Sequence, residues 1–146
     1  MNKDRRLPSA LRAAYMAIHR SSDSVFAEHG VTADQFVLLL ALKENTILTQ
    51  SELATRIWSD SSTVRAMLVL LEKNGYVKRE THPTDFRAKV VTLTAKGKRK
   101  ISTLWKAGQP IRNKMYGCLS DNESEILIEL LMRLSGALDR DRFNTP

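Results

Sequence analysis

A mainly α-helical fold with one small β-element is the class this 146-residue sequence predicts. Three observations carry it. Apolar residues recur at three- and four-residue steps over most of the chain, the spacing of buried helix faces. The helix-starting signature Ser/Thr-x-x-Glu/Gln stands ahead of three apolar runs. Only residues 76–93 change texture, to β-branched segments around a turn containing Pro and Asp.

In chain order, a first helix is expected at about 7–28. Leu7, Leu11, Ala14, Ile18 and Val25 form one buried face, Pro8 sits in the first turn, and Gly30 marks the stop. The signatures Thr32-Ala33-Asp34-Gln35, Thr49-Gln50-Ser51-Glu52 and Ser120-Asp121-Asn122-Glu123 predict helices at 32–44, 49–57 and 120–141. In the first two an apolar pair, Val31 with Phe36 and Leu48 with Leu53, fixes the direction from which the chain arrives. Asp60 or Ser59 caps a further helix whose buried stripe is Val64, Met67, Leu68 and Leu71, and Asn74-Gly75 ends it. Strands follow at Tyr76–Thr81 and Lys89–Leu93, with Thr46-Ile47-Leu48 as a very short third. Thr94 caps the next helix, with Ile101, Leu104, Trp105, Gly108, Ile111 and Met115 as its stripe and a kink expected at Pro110. The last helix carries Leu127, Leu131, Leu134 and Leu138 with Ile126, Ile128 and Leu130 beside them. That is more apolar surface than a terminal helix hides within its own chain, so a second copy is expected to cover it.

The net charge of +7 is unevenly placed. Residues 1–45 hold six Lys/Arg and five Asp/Glu, residues 46–100 eleven and five, and residues 101–146 six and six. The excess therefore sits in the middle third, which points to a polyanion-binding module between neutral segments. No run approaches ~18 apolar residues, so no membrane span or membrane partner is expected. Met1–Arg6 lack the pattern of a leader, and the single Cys118 leaves no internal disulfide. The expected location is the cytoplasm. His19, His29 and His82 are far apart, and there is no Gly-rich phosphate loop, metalloprotease helix motif or nucleophile elbow. No enzyme activity, metal or cofactor is expected.

The order helix, helix, tight turn, helix, hairpin is that of a winged helix-turn-helix. With Val64, Leu68 and Leu71 inward, Ser62, Arg65, Ala66, Val69 and Lys73 face outward on the helix that would enter a major groove. Ser61 and Ser62 suit phosphate or base contacts, and the Arg65 fork suits guanine O6 and N7. Lys78, Arg79, Arg87 and Lys89 lie on or beside the hairpin, and Arg87, near its tip, suits a narrow minor groove. Asp85 can hold the Arg87 guanidinium in place. Lys96, Lys98, Arg99 and Lys100 follow, either near the phosphate backbone or as a solvated first turn.

Leu48–Ala54, Ser62-Thr63-Val64, Leu71–Val77, Asp85-Phe86-Arg87-Ala88-Lys89 and Val91–Gly97 together resemble the MarR family of bacterial transcriptional regulators. The resemblance implies one MarR-like domain over residues 1–146, with a DNA-binding lobe at about 32–94 and dimerisation helices at about 7–28 and 95–141. It further implies a homodimer on a pseudo-palindromic operator in double-stranded DNA, usually a repressor, often released by a small aromatic or phenolic ligand. The minor-groove role carries over to Arg87. Phe86 stands where the family often has arginine, Ala66 and Leu70 replace residues that are often basic, and Pro110 is unusual in the long fifth helix.

Arg12, Tyr15 and His19 fall along one flank of the first helix and, with Trp58, are the candidate ligand-binding residues. Phe36 and Trp105 can contribute. Packing at a dimer interface or in the core is the simpler reading of the same residues. Lys114 and Arg112 can influence Cys118, although an inert thiol is the simpler reading there too. The functional alternative is a winged-helix module that binds proteins without specific DNA binding.

Overall fold

The computed structural model describes residues 3–45 and 47–139 and has the mainly α architecture the sequence predicts. Helix α1 (Lys3–Ala27) leads to α2 (Ala33–Glu44), strand β1 (Leu48–Thr49), α3 (Gln50–Arg56), α4 (Ser61–Lys73), β2 (Val77–Thr81), β3 (Lys89–Leu93), α5 (Ala95–Ala107), α6 (Gln109–Gly117) and α7 (Asp121–Leu138). The short third strand starts two residues and ends one residue later than expected. Of its expected residues Thr46 lies outside the described residues, as do Arg140 and Asp141 at the end of the last expected helix.

Local chemistry accounts for most boundaries. Thr32 and Gln35 form a reciprocal capping box, and so do Ser120 and Glu123. Thr49 accepts the Glu52 N–H at 3.0 Å, but the return bond of a full box is not made. Asp60 rather than Ser59 caps α4: its carboxylate accepts the Thr63 N–H at 2.8 Å and the Thr63 hydroxyl at 2.8 Å. Those bonds hold the Asp60 carboxyl below its ordinary value. Helix α4 ends in a Schellman motif, with Tyr76 N–H on the Leu71 carbonyl and Gly75 at φ +79°.

The sheet is antiparallel with strand order β1-β3-β2 and pairs Leu48 with Val91 and Val77 with Leu93. Its inward residues Leu48, Val77 and Val91 meet Leu38, Leu39 and Leu42 of α2, Leu53 of α3, Val64, Leu68 and Leu71 of α4, and Ile101 and Leu104 of α5 in one buried core. Met67, expected in the buried stripe, is only partly covered.

Two expectations fail. The region expected as one kinked helix is two helices that meet at Gly108. Pro110 cannot donate to the Lys106 carbonyl and its ring would crowd that turn, so α5 stops and Pro110 falls in the first turn of α6. Arg112 folds back and donates to the exposed end of α5, at the Trp105 carbonyl, 2.6 Å away, with its guanidinium 3.7 Å from the Trp105 ring centroid. The other failure is the first helix. It starts four residues earlier than expected, so Pro8 lies inside it, and its apolar face is not buried: Leu7 and Ile18 are exposed and only Phe26 is fully covered. Helix α7 also leaves Leu127, Leu131 and Leu138 exposed, but there the sequence already carried more apolar surface than one chain was expected to hide.

Candidate nucleic-acid interface

The tight turn between α3 and α4 presents α4 outward. Ser61, Ser62, Arg65, Ala66, Val69 and Lys73 are all exposed, as the 100° step predicts. The β2–β3 hairpin stands beside its first turn. Ser61 and Arg65 of α4, Arg79, Arg87 and Lys89 of the hairpin, and Thr49, Gln50 and Ser51 at the start of α3 line one open cleft. Five of the ten expected nucleic-acid contacts thus converge. Ser62, Ala66, Val69 and Lys73 continue along the exposed face of α4, and Asp85 shapes the hairpin tip. Thr49, Gln50 and Ser51 were missed because they belong to a helix-starting signature in which Thr49 is the cap, and that local role accounts for the pattern.

Two side chains have partners the sequence reading did not give them. Arg79 is bound to Glu72 of α4: its backbone N–H reaches one carboxylate oxygen at 2.9 Å, and its guanidinium reaches the other at 3.0 and 3.3 Å. Alternation along β2 puts Arg79 on the inward side with Val77, which explains its partial burial. These bonds hold the Glu72 carboxyl below its ordinary range. Arg79 thus braces the hairpin against α4. Asp85 accepts the backbone N–H of Arg87 at 3.1 Å rather than its guanidinium, so it shapes the turn and leaves the fork outward. His82, absent from the expected site, sets the same turn: its Nδ1 accepts the N–H groups of Thr84 at 3.2 Å and Asp85 at 3.1 Å. Lys96 donates to the Asn74 carbonyl at 2.8 Å and lies over the Tyr76 ring, closing the end of α4.

A second concavity, of about 300 Å³ and largely apolar, lies between α1, α2 and the α5–α6 junction. Tyr15, His19, Phe36, Trp105, Ile111 and Arg112 are among its lining residues. Tyr15 and His19 stack with ring centroids 5.6 Å apart, and His19 Nε2 lies 3.0 Å from Asp23. Arg12 is not part of this lining, and Trp58 belongs to an adjoining cavity that shares Tyr15, Asp34 and Val37. Trp58 itself holds φ +56° at the end of α3, where its N–H and that of Ser59 make the two Schellman bonds. Glycine is the usual residue there, and for tryptophan the left-handed backbone costs roughly 1–2 kcal/mol. Cys118 is exposed and directs its thiol to the Met115 carbonyl, while the Arg112 guanidinium is held at Trp105. Among the described residues no three His, Cys, Asp or Glu side chains cluster as metal ligands, and no helix is long and apolar enough to cross a membrane.

Known proteins share this arrangement. The MarR family's sequence profile matches residues 31–89, from the start of α2 through the hairpin tip. The transcriptional regulator HosA of Escherichia coli is 28% identical over 107 residues, covering 73% of this chain and 79% of HosA. The HTH-type transcriptional regulator TtmR of Methylorubrum extorquens is 36% identical over 95 residues, covering 65% of this chain and 49% of TtmR. Among solved structures, the transcriptional repressor CouR bound to a 23-mer DNA duplex superimposes with a TM-score of 0.82 at 26% identity, covering 90% of this chain and 94% of CouR. The profile match spans the helix-turn-helix and hairpin and the similarity to a solved repressor runs through the flanking helices, so this chain carries a winged helix-turn-helix of the MarR type and is similar to that family's transcriptional regulators.

Proposed function

We propose that two copies of this chain bind a pseudo-palindromic operator, each placing α4 in a major groove and the hairpin in the neighbouring minor groove, and thereby repress transcription. The convergence of Arg65, Arg87 and Lys89 on one cleft supports the docking, with Arg79 bracing the wing. The uncovered apolar faces of α1 and α7 support the pairing of two copies. The lining of Tyr15, His19, Trp105 and Arg112 supports a small aromatic or phenolic effector that releases the DNA.

Selection of bound fragments from the source genome, followed by titration of the selected duplex, tests the reading. Arg87→Ala is expected to weaken binding to all sequences, whereas Arg65→Ala also relaxes preference at one base pair, by about 1–3 kcal/mol of discrimination. Wild-type affinity in both variants would contradict the docking. A salicylate-like acid is expected to lower operator affinity and change Trp fluorescence; no change in either removes this effector class.

A further inference from the structure

The uncovered side chains of α1, α6 and α7 lie on helix faces that a second copy can cover. Phe86 does not. It is 83% exposed at the tip of the hairpin, away from those helices. The backbone around it is held in place. His82 N–H donates to the Ala88 carbonyl at 3.0 Å, Ala88 N–H donates to the Asp85 carbonyl at 3.1 Å, and the Asp85 carboxylate accepts the Arg87 N–H. A bonded turn therefore presents a phenyl ring outward, next to the arginine that borders the basic cleft. Between Asp85 and Arg87 a polar residue would satisfy the turn equally well, because its bonds are made by backbone groups and the side chains of His82 and Asp85.

Resting on the DNA-binding reading above, we propose that Phe86 is a minor-groove wedge. Arg87 brings the tip to the groove by charge, and the ring at the same depth has no hydrogen bond to offer. It inserts against a base step and partly unstacks it, as apolar side chains at bent minor-groove sites do. The step that gives way most easily is pyrimidine–purine, TA or CA/TG. The hairpin then selects operators by deformability at a position where no base edge is read, on both sides of the dyad.

The test uses the full-length protein and the genome-selected duplex, with 2-aminopurine at each candidate step in turn and a donor–acceptor pair at the duplex ends. Wild type is expected to raise 2-aminopurine fluorescence severalfold at one step per half-site and to shorten the end-to-end distance. Phe86→Ala abolishes the fluorescence rise, reduces the bend, weakens binding roughly tenfold and loses preference for TA over AA at that step. Its thermal midpoint is unchanged, since the ring is exposed. Phe86→Arg regains affinity through charge, with a steeper salt dependence, but not the unstacking signal. A Phe86→Ala protein that keeps the fluorescence rise, the bend and the step preference overturns the wedge. So does wild type that binds the operator tightly with no unstacked step, which would turn the ring toward a protein partner. Failure of wild type to bind any selected duplex overturns the DNA-binding reading itself, and the wedge with it.

Discussion

His82 is the residue whose role is least visible from its neighbours in the chain. A histidine before Pro83 invites no particular reading, yet its Nδ1 imitates the side-chain carbonyl of an Asx turn. His82→Ala is expected to loosen the hairpin tip and weaken operator binding by roughly fivefold, the worth of about one hydrogen bond. His82→Asn is expected to restore it, because an amide oxygen can accept the same N–H groups; fluorescence anisotropy with labelled operator compares the three. Glu72 makes a different prediction. Its bonds from Arg79 lower its carboxyl below the ordinary value, so the folded state binds that proton more weakly than the unfolded chain. The stabilisation is present at neutral pH and is lost as pH falls below about 4 through the depressed value. Glu72→Gln is expected to lower stability by about 0.5–1 kcal/mol at neutral pH, reduced by partial exposure of the pair. It should match wild type in acid, in thermal melts across the pH range. Arg79 was legible in part: its place two residues after buried Val77 forecasts an inward side chain, but not that Glu72 would meet it. Trp58 was not legible at all, since nothing local favours a left-handed tryptophan over glycine.

At the scale of elements, the parts governed by neighbouring residues were readable and those governed by distant contacts were not. Thr32, Asp60, Ser120 and Gly75 sit where capping chemistry places them. Pro110 was legible as an interruption, but a kink and a full break follow from the same missing donor, and the choice lies with Arg112 closing the end of α5. Gly97 was unreadable. An added Cβ there would collide with the Tyr76 carbonyl and crowd Leu93, so the first turn of α5 can lie on the start of β2 only with no side chain present. Helix propensity alone would make Gly97→Ala stabilising by roughly 1 kcal/mol. Because a backbone atom blocks the methyl, the substitution is instead expected to destabilise by about 1–3 kcal/mol in urea unfolding. A stabilised variant would show that α5 can shift freely against the hairpin.

At the scale of the whole molecule, one chain divides into a closed core and two open helical faces. The core joins α2 to α5 with the three strands and explains why the hairpin and α4 hold a fixed relation. Helices α1 and α7 contribute little to it: Phe26 of α1 is anchored, while Leu7, Ile18, Leu127 and Leu131 remain exposed. The sequence pattern announced both faces as apolar and marked that of α7 as more than its own chain hides; for α1 it gave no such sign, because periodicity records that a face must be covered and not by what. The proposed dimer covers them and sets two hairpins and two α4 helices on one duplex. Sedimentation equilibrium of the protein with its genome-selected duplex, over a range of salt, measures this directly. Two chains per duplex are expected at every protein concentration that binds, with the logarithm of the affinity falling linearly as log salt rises, and the chains are expected to separate when Leu127 and Leu131 are both replaced by Glu. A complex holding one chain, or binding that ignores salt, would contradict it.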